Sequence, residues 1–348
     1  MIQLSLFDEE KIFNLKDLIN SDFNFFKSQK NLSLDNKNKV EKFLYDYNYE
    51  NPIYYHCSME FNKITKNSKY KYIIFDVPND DKIFIMYKVI QIMNVKKIKI
   101  IDKPFSIKKN VENEKKIINI LLKKDFINLI FKEKYLDFYK DYIFEESIQD
   151  FDYYIDFEEE YKKSLTPNYK KRKKINRYEN NNDFKIEIVT KITDALELEN
   201  LRSTWKNTKT NVKQDNEFNL FVKNNDVEKL FLNIYYNNHL IFNSIFIVKK
   251  DYLINVFESS LAKYYQKNDD NIYLKTSTAH IDDVANYFIS KYFLNTNIKR
   301  SYMAGANPKH ISLVNFKEAH SNGKIKYYKI IPEKVIKNGE NVKIDFTL

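Results

Sequence analysis

The chain has 348 residues, 43% of them hydrophobic and 16% aromatic, which is enough for one large domain or two ordinary ones and excludes wholesale disorder. The single cysteine, Cys57, excludes an intramolecular disulfide; the acidic Asp8-Glu9-Glu10 close behind Met1 excludes a secretory leader; and no apolar run approaches the ~20 residues of a membrane span, so a cytoplasmic protein without membrane contact is expected. The formal net charge of +10 suggests a polyanionic partner, DNA or RNA, although a lysine-rich composition with 3 glycines and 1 tryptophan is also what an AT-rich coding genome yields.

Residues 1–10 read as a short extended peptide. Residues 11–50 are mostly helical in pattern, with Ile12, Phe13, Leu15, Leu18 and Ile19 on one face. Tyr72–Phe75 and Ile98–Ile101 read as strands, and Asp80–Met93 between them as a helix with Ile83, Met86, Tyr87, Ile90 and Met93 at helical spacing. This β-α-β rhythm predicts an α/β layer, followed by a charged helical stretch over 112–142. A second unit opens near 150. It has a short strand Tyr153–Asp156, a helix Asp156–Ser164 punctuated by Thr166-Pro167, and a basic helix Lys170–Arg177. A strand Phe184–Val189 and a helix Thr193–Trp205 follow, the helix with Asp194 in its first turn. Strands are then predicted over 230–236, 240–248 and 252–258, a helix over 271–293, a strand near 299–304, a helix over 307–319 and a last strand Lys324–Ile331. The expected fold class is α/β (α+β), a mixed central sheet flanked by helices. Its predicted parts are a peptide at 1–10, an α/β domain at 11–149 and a catalytic domain at 150–348.

Taken in order, landmarks of the second unit resemble the FemAB-like branch of the GNAT superfamily over about residues 150–331. They are the opening strand Asp152–Phe157, the basic stretch Thr166–Ile175, Leu201-Arg202-Ser203-Thr204-Trp205, and the hairpin Leu232 to Val248. Asn271-Ile272-Tyr273-Leu274-Lys275 opens a long helix, and Ala304-Gly305-Ala306-Asn307 precedes Leu313-Val314-Asn315-Phe316-Lys317. The resemblance implies a GNAT-like fold, with the N-terminal domain as a candidate second GNAT-like half, and an acyl- or aminoacyl-transferase activity. One departure bears on the donor. Enzymes of this superfamily that use acyl-CoA bind its pyrophosphate on a glycine-rich loop, whereas Lys263–Asn271 has no glycine and includes Asp269 and Asp270. That favours an aminoacyl-tRNA over acyl-CoA as the activated co-substrate, with no tightly bound cofactor.

Acyl transfer needs an oriented nucleophile, stabilisation of the developing oxyanion and a path for a proton. By the resemblance, the Phe316-Lys317 pair lies close to the reacting ester or thioester, with Lys317 polarising the donor carbonyl. Tyr302 and Asn307 flank the small-residue turn and are candidates to orient substrate, or equally to pack and cap. Arg202 and Trp205 stand about one helical turn apart, and Arg202 suits a phosphate or carboxylate. Tyr273, Lys171 and Arg172 are further candidates for substrate contact, the last two within a run of six basic residues in eight that suits a phosphate groove or a solvated face. His310 is a candidate proton shuttle, although a capped surface histidine is the commoner reading of such a residue. No His, Cys or Asp cluster has metal-ligand spacing, so no metal site is expected.

The N-terminal Gln3-Leu4-Ser5-Leu6-Phe7 resembles a bacterial sliding-clamp-binding peptide. Leu6 and Phe7 would fill an apolar pocket while Gln3 bonds at its rim and Leu4 completes the pattern. The chain has six glutamines, so a chance match at the terminus is improbable. Clamp recruitment points to DNA as the acceptor, as in phage-type base hypermodification. A cell-wall precursor or small amine as acceptor, and a non-catalytic clamp- or DNA-binding protein with a degenerate GNAT fold, are the competing expectations.

Overall fold

A computed structural model of the chain describes residues 11–29, 70–166, 172–192, 194–207, 216–223, 225, 227–261, 281–305, 311–331, 336–337 and 340–341. The fold is mixed α/β and divides into two compact units. Described residues 11–29, 70–148 and 326 onward form the first, and 149–325 the second.

In unit 1, strands β1 (Ile12–Phe13), β2 (Tyr70–Val77), β3 (Asp81–Ile92), β4 (Val95–Ile101), β6 (Ile127–Lys132) and the end of β13 (Gly323–Ile330) lie side by side in that order, with β5 (Phe105–Ser106) on β3. β2, β3 and β4 are consecutive antiparallel neighbours, while β4 and β6 are parallel. The helix expected over Asp80–Met93 is therefore strand β3. Its Ile83–Tyr87 run is apolar at every position and buried on both faces, a pattern that helical spacing mimics but a doubly covered strand explains. Asn79 and Asp80, both with positive φ (68° and 51°), turn the chain back from β2. The stretch 112–142 is likewise not continuous helix. Helix α3 (Val111–Leu122), capped by Asn110, ends before the buried strand β6. Helices α1 (Leu15–Asn20) and α2 (Phe23–Ser28) are short, and α1 is closed by a reciprocal Asn14–Asp17 capping box. Phe26, Tyr87, Ile117, Ile118, Leu129 and Phe131 belong to one continuous core.

In unit 2, the order is β7 (Phe144–Asp156), β12 (Arg300–Gly305), β11 (Tyr252–Ser260), β10 (His239–Val248), β9 (Lys229–Tyr236) and β8 (Phe184–Val189). A two-residue turn, Asn237-Asn238 with both φ positive, joins β9 to β10. Each face has its own core. Side chains such as Leu232, Ile234 and Phe242 pack with α4 (Phe157–Leu165), α5 (Arg172–Asn180) and α8 (Ile281–Phe293). Phe231, Ile245, Ile247 and Tyr302 face the other way, onto α6 (Ala195–Asn207) and α7 (Asn216–Lys223). Asp156 caps α4 and Asp194 caps α6. Helix α9 (Ile311–His320) follows β12. Among the described residues no helix is long and apolar enough to cross a membrane.

Candidate active site

Among the described residues the sheet of unit 2 opens between β11 and β12. β11 and β12 are parallel and pair at Tyr252↔Arg300, Leu253↔Ser301 and Ile254↔Tyr302. Both strands run further, β11 to Ser260 alongside β10 and β12 to Gly305 alongside β7. Among the described residues no register pair joins them beyond Ile254 and Tyr302, so the strands part there. The cause is visible in their outer ladders. The β10–β11 register shifts between Ile245 and Phe246, and the β12–β7 register shifts between Tyr302 and Gly305. Bulges bend a strand and re-aim its edge. Two of them at one level leave inner strand edges whose backbone groups can take up a partner.

Lys317 of α9 stands at this parting. It is 8% exposed, and its Nζ donates to the carbonyl of Met303 in the β12 bulge. Val314 and Met303 pack on Tyr153, whose hydroxyl donates to Glu318 at 3.1 Å. Burial and that bond push the Tyr153 phenol up to about 12. Tyr302 is buried on the opposite face, edge-on to Tyr154 (6.0 Å) and Tyr252 (5.2 Å). Arg300 covers the Tyr154 ring at 4.8 Å and donates to Asp156 at 3.3 Å. Burial works against the Arg300 charge, but Asp156 with Tyr302 and Tyr154 outweighs it and holds its pKa above the ordinary value. The Tyr154 ring lies over Gly323, where any Cβ would overlap it, so this strand needs a glycine.

Arg202 approaches from the α6 face. Its guanidinium donates to the Glu258 carbonyl (3.0 Å) and the Ser259 hydroxyl (3.1 Å), both on β11 past the parting. Trp205, Phe218 and Phe257 surround it at 4.4, 5.0 and 5.4 Å. These contacts tie α6 and α7 to β11, with one guanidinium nitrogen making both hydrogen bonds. Beside it a polar row crosses the sheet. Asn233, Asn243 and Ser259 are register neighbours, Asn243 Nδ2 donates to Asn233 Oδ1 at 2.7 Å, and all three are buried.

Phe316 packs against His320 one turn later, the rings tilted with centroids 4.5 Å apart. His320 Nδ1 lies 2.9 Å from the buried carboxylate of Asp283 on α8, and Asn286 Nδ2 donates to the His320 carbonyl at 3.0 Å. A ring whose Nδ1–H is held by a carboxylate presents Nε2 as a proton acceptor. Sequence reasoning weighed His310 as a shuttle, favouring a capped surface histidine there, and did not reach this pair. Asp283 and His320 are 37 positions apart, and only the packing of α8 on α9 joins them. Arg172 sits at the start of α5 in a group with Glu179, Tyr287 and Lys291; Tyr287 and Lys291 donate to Glu179 at 2.8 and 3.0 Å. Lys173 and Arg177 of the same basic run face solvent.

The structure thus brings Lys317, Tyr302, Met303 and the Arg202-bound end of β11 to the parting, and leaves Arg172 in the α5–α8 contact. Lys171, Tyr273, Asn307, His310, the 263–271 stretch and Gln3, Leu4, Leu6 and Phe7 lie outside the described residues. Among the described residues no group of three or more His, Cys, Asp or Glu side chains is placed to hold a metal ion.

No family model matches the chain, and no curated protein matches it. Solved structures do. A conserved protein of unknown function from Bacteroides thetaiotaomicron is similar at 14% identity and TM-score 0.49, over 78% of this chain and 88% of that one. L-PGS from Bacillus licheniformis is similar at 11% identity and TM-score 0.48, over 89% and 95%. FemX is similar at 11% identity and TM-score 0.44, over 77% and 89%.

Proposed function

We propose that the chain is an acyl- or aminoacyl-transferase of the GNAT/FemAB-like type, with its chemistry at the β11–β12 parting and DNA bases as acceptor. The observation that carries the reading is Lys317. The residue singled out by the Phe316-Lys317 pair lies buried where two parallel strands separate, with its ammonium on a strand-edge carbonyl. A donor carbonyl lodged between the parted edges would meet backbone N–H groups and that ammonium, which together offset negative charge on its oxygen. An acceptor amine or hydroxyl then attacks the carbonyl carbon, and the donor's alcohol or thiol leaves with the proton that the nucleophile gives up. His320, held by Asp283, is the described side chain best suited to relay that proton. Gln3–Phe7 would bring the enzyme to DNA through a sliding clamp, and net basicity agrees with such an acceptor.

A second reading, a clamp- and DNA-binding protein without catalysis, draws on the same lysine, because its bond to Met303 is one that a structural residue would also make. Mass spectrometry of nucleosides from DNA of cells expressing the protein separates the two. A new nucleoside of added acyl mass is expected with the wild type and not with a folded Lys317→Ala variant. Unmodified DNA in both favours the non-catalytic reading, and equal product from both removes Lys317 from the chemistry. Retention on a sliding clamp is expected to be lost in Leu6→Ala/Phe7→Ala, and equal retention ends the tether argument.

A further inference from the structure

The β3–β4 hairpin of unit 1 has no part in the proposed chemistry, and its tip combines two locally unfavourable features. Its two-residue turn is Met93-Asn94, between the paired Ile92 and Val95. Met93 has φ 50°, a left-handed backbone at the turn position where glycine is usual. Its side chain is 93% exposed, and that of Val95 is 53% exposed. Down the shank, Lys88 lies directly across from Lys99, and Gln91 from Lys96. Lys96 is exposed, and Lys97 reaches the Asp125 carbonyl at 2.6 Å. Asp125 is the acidic residue at the root of this otherwise basic element. Pairing with β2 ends at Tyr70↔Lys88 and with β6 at Ile98↔Ile127, so among the described residues Val89–Lys97 is a two-stranded ribbon.

Strain and exposed apolar surface at one residue point to a partner that takes up the residue, since among the described residues nothing gains from either. We infer that this hairpin is a DNA-binding arm, with Met93 as a wedge against the bases and Lys96 and Lys97 on phosphates. A two-stranded ribbon fits a DNA groove, and a single flexible aliphatic side chain fits between base steps. An anionic membrane shares the charge preference, but the tip has no aromatic residue and one fully exposed apolar side chain, a weak anchor for lipid. The inference rests on DNA as the partner but not on the chemistry at Lys317, so the two fail separately.

The test uses the full chain, a fluorescent duplex of ~25 bp, long enough for the ribbon and its flanking phosphates, and vesicles of phosphatidylcholine with phosphatidylglycerol. Met93→Gly suits the turn and is expected to fold at least as well as the wild type. It should weaken duplex binding severalfold and abolish any bend read by energy transfer between the duplex ends. Lys96→Glu/Lys97→Glu should weaken binding at least about tenfold and flatten its salt dependence by about two phosphate contacts. Wild-type duplex affinity in both hairpin variants overturns the inference. So does vesicle binding that both variants lose while duplex binding persists. A hairpin that binds DNA in cells whose nucleosides stay unmodified keeps the inference and removes the proposed reaction.

Discussion

The two units treat buried polar groups differently. Among the described residues of unit 1 they are saturated. Asp81 accepts from Ser106 Oγ (2.6 Å), Asn113 Nδ2 (3.0 Å) and the backbone N–H groups of Lys82 and Lys108 (2.8 and 3.0 Å). Glu114 takes Lys103 and the Ser106 N–H, and the Tyr139 hydroxyl donates to the Asp102 carbonyl at 2.8 Å. In unit 2 the buried Asn243 Oδ1 and the hydroxyls of Ser244, Ser290 and Ser301 have no hydrogen-bond partner. Ser244 and Asn243 lie on β10, and Ser301 on β12 one residue from the parting. Buried polar atoms without partners cost stability, and proteins keep them mainly where a substrate or a water takes the vacant position. On this comparison unit 1 is built for stability, while unit 2 gives some of it up beside its candidate site.

The largest expected effect is in unit 1. Asp81→Ala leaves several buried donors unpaired and should cost about 4 kcal/mol in urea unfolding. It should also change the acid response. Burial raises the Asp81 pKa, but the bonds from Ser106, Asn113 and the two backbone N–H groups outweigh it, so the folded value lies below the unfolded one. The stabilisation is then fully present above the unfolded pKa and lost as pH falls through the folded one. Wild-type stability should drop below about pH 4, near the unfolded aspartate value, and the drop should be shallower in the variant. Equal slopes would show that this network does not set the acid limit of unit 1.

Arg202 tests unit 2. Arg202→Lys keeps the charge but loses the planar fork that reaches Glu258 and Ser259 and stacks among three rings. A loss of about 2–3 kcal/mol is expected from thermal unfolding, with the Michaelis constant little changed. Unchanged stability with a sharply raised Michaelis constant would make Arg202 a substrate ligand, as the sequence suggested.

How much could be read beforehand follows the same division. Between Phe184 and Ile330 the strands and the helices α6, α8 and α9 stood out because apolar alternation and helix-start residues such as Asp194 are local signals, whereas the short helix α7 was not foreseen. β3 did not, because Ile83, Met86, Tyr87 and Ile90 satisfy helical spacing while the residues between them are apolar as well; only pairing with β2 and β4 decides it. The sequence singled out Lys317 through the Phe-Lys pair, but its burial beside a bulge could not be read there, since a bulge is a mismatch between two strands distant in sequence. Asp283 with His320 is beyond any periodicity for the same reason.

The sharpest form of the comparison uses one substitution in both units. Ser106 Oγ donates to Asp81 and accepts from the Asn110 N–H at 2.7 Å. Ser106→Ala should therefore cost about 1–2 kcal/mol, with Asp81 left short of a donor. Ser301 is just as buried, but its hydroxyl has no partner. Ser301→Ala removes a desolvated group that gains nothing from folding, so stability should stay within about 0.5 kcal/mol of the wild type or rise slightly. If both alanines cost the same, an ordered water satisfies Ser301 and the contrast between the units disappears at that position. If Ser301→Ala is neutral for folding yet slows transfer, the vacant hydroxyl belongs to the site. Because the change leaves the fold intact, such a loss of rate would be attributable to the hydroxyl itself.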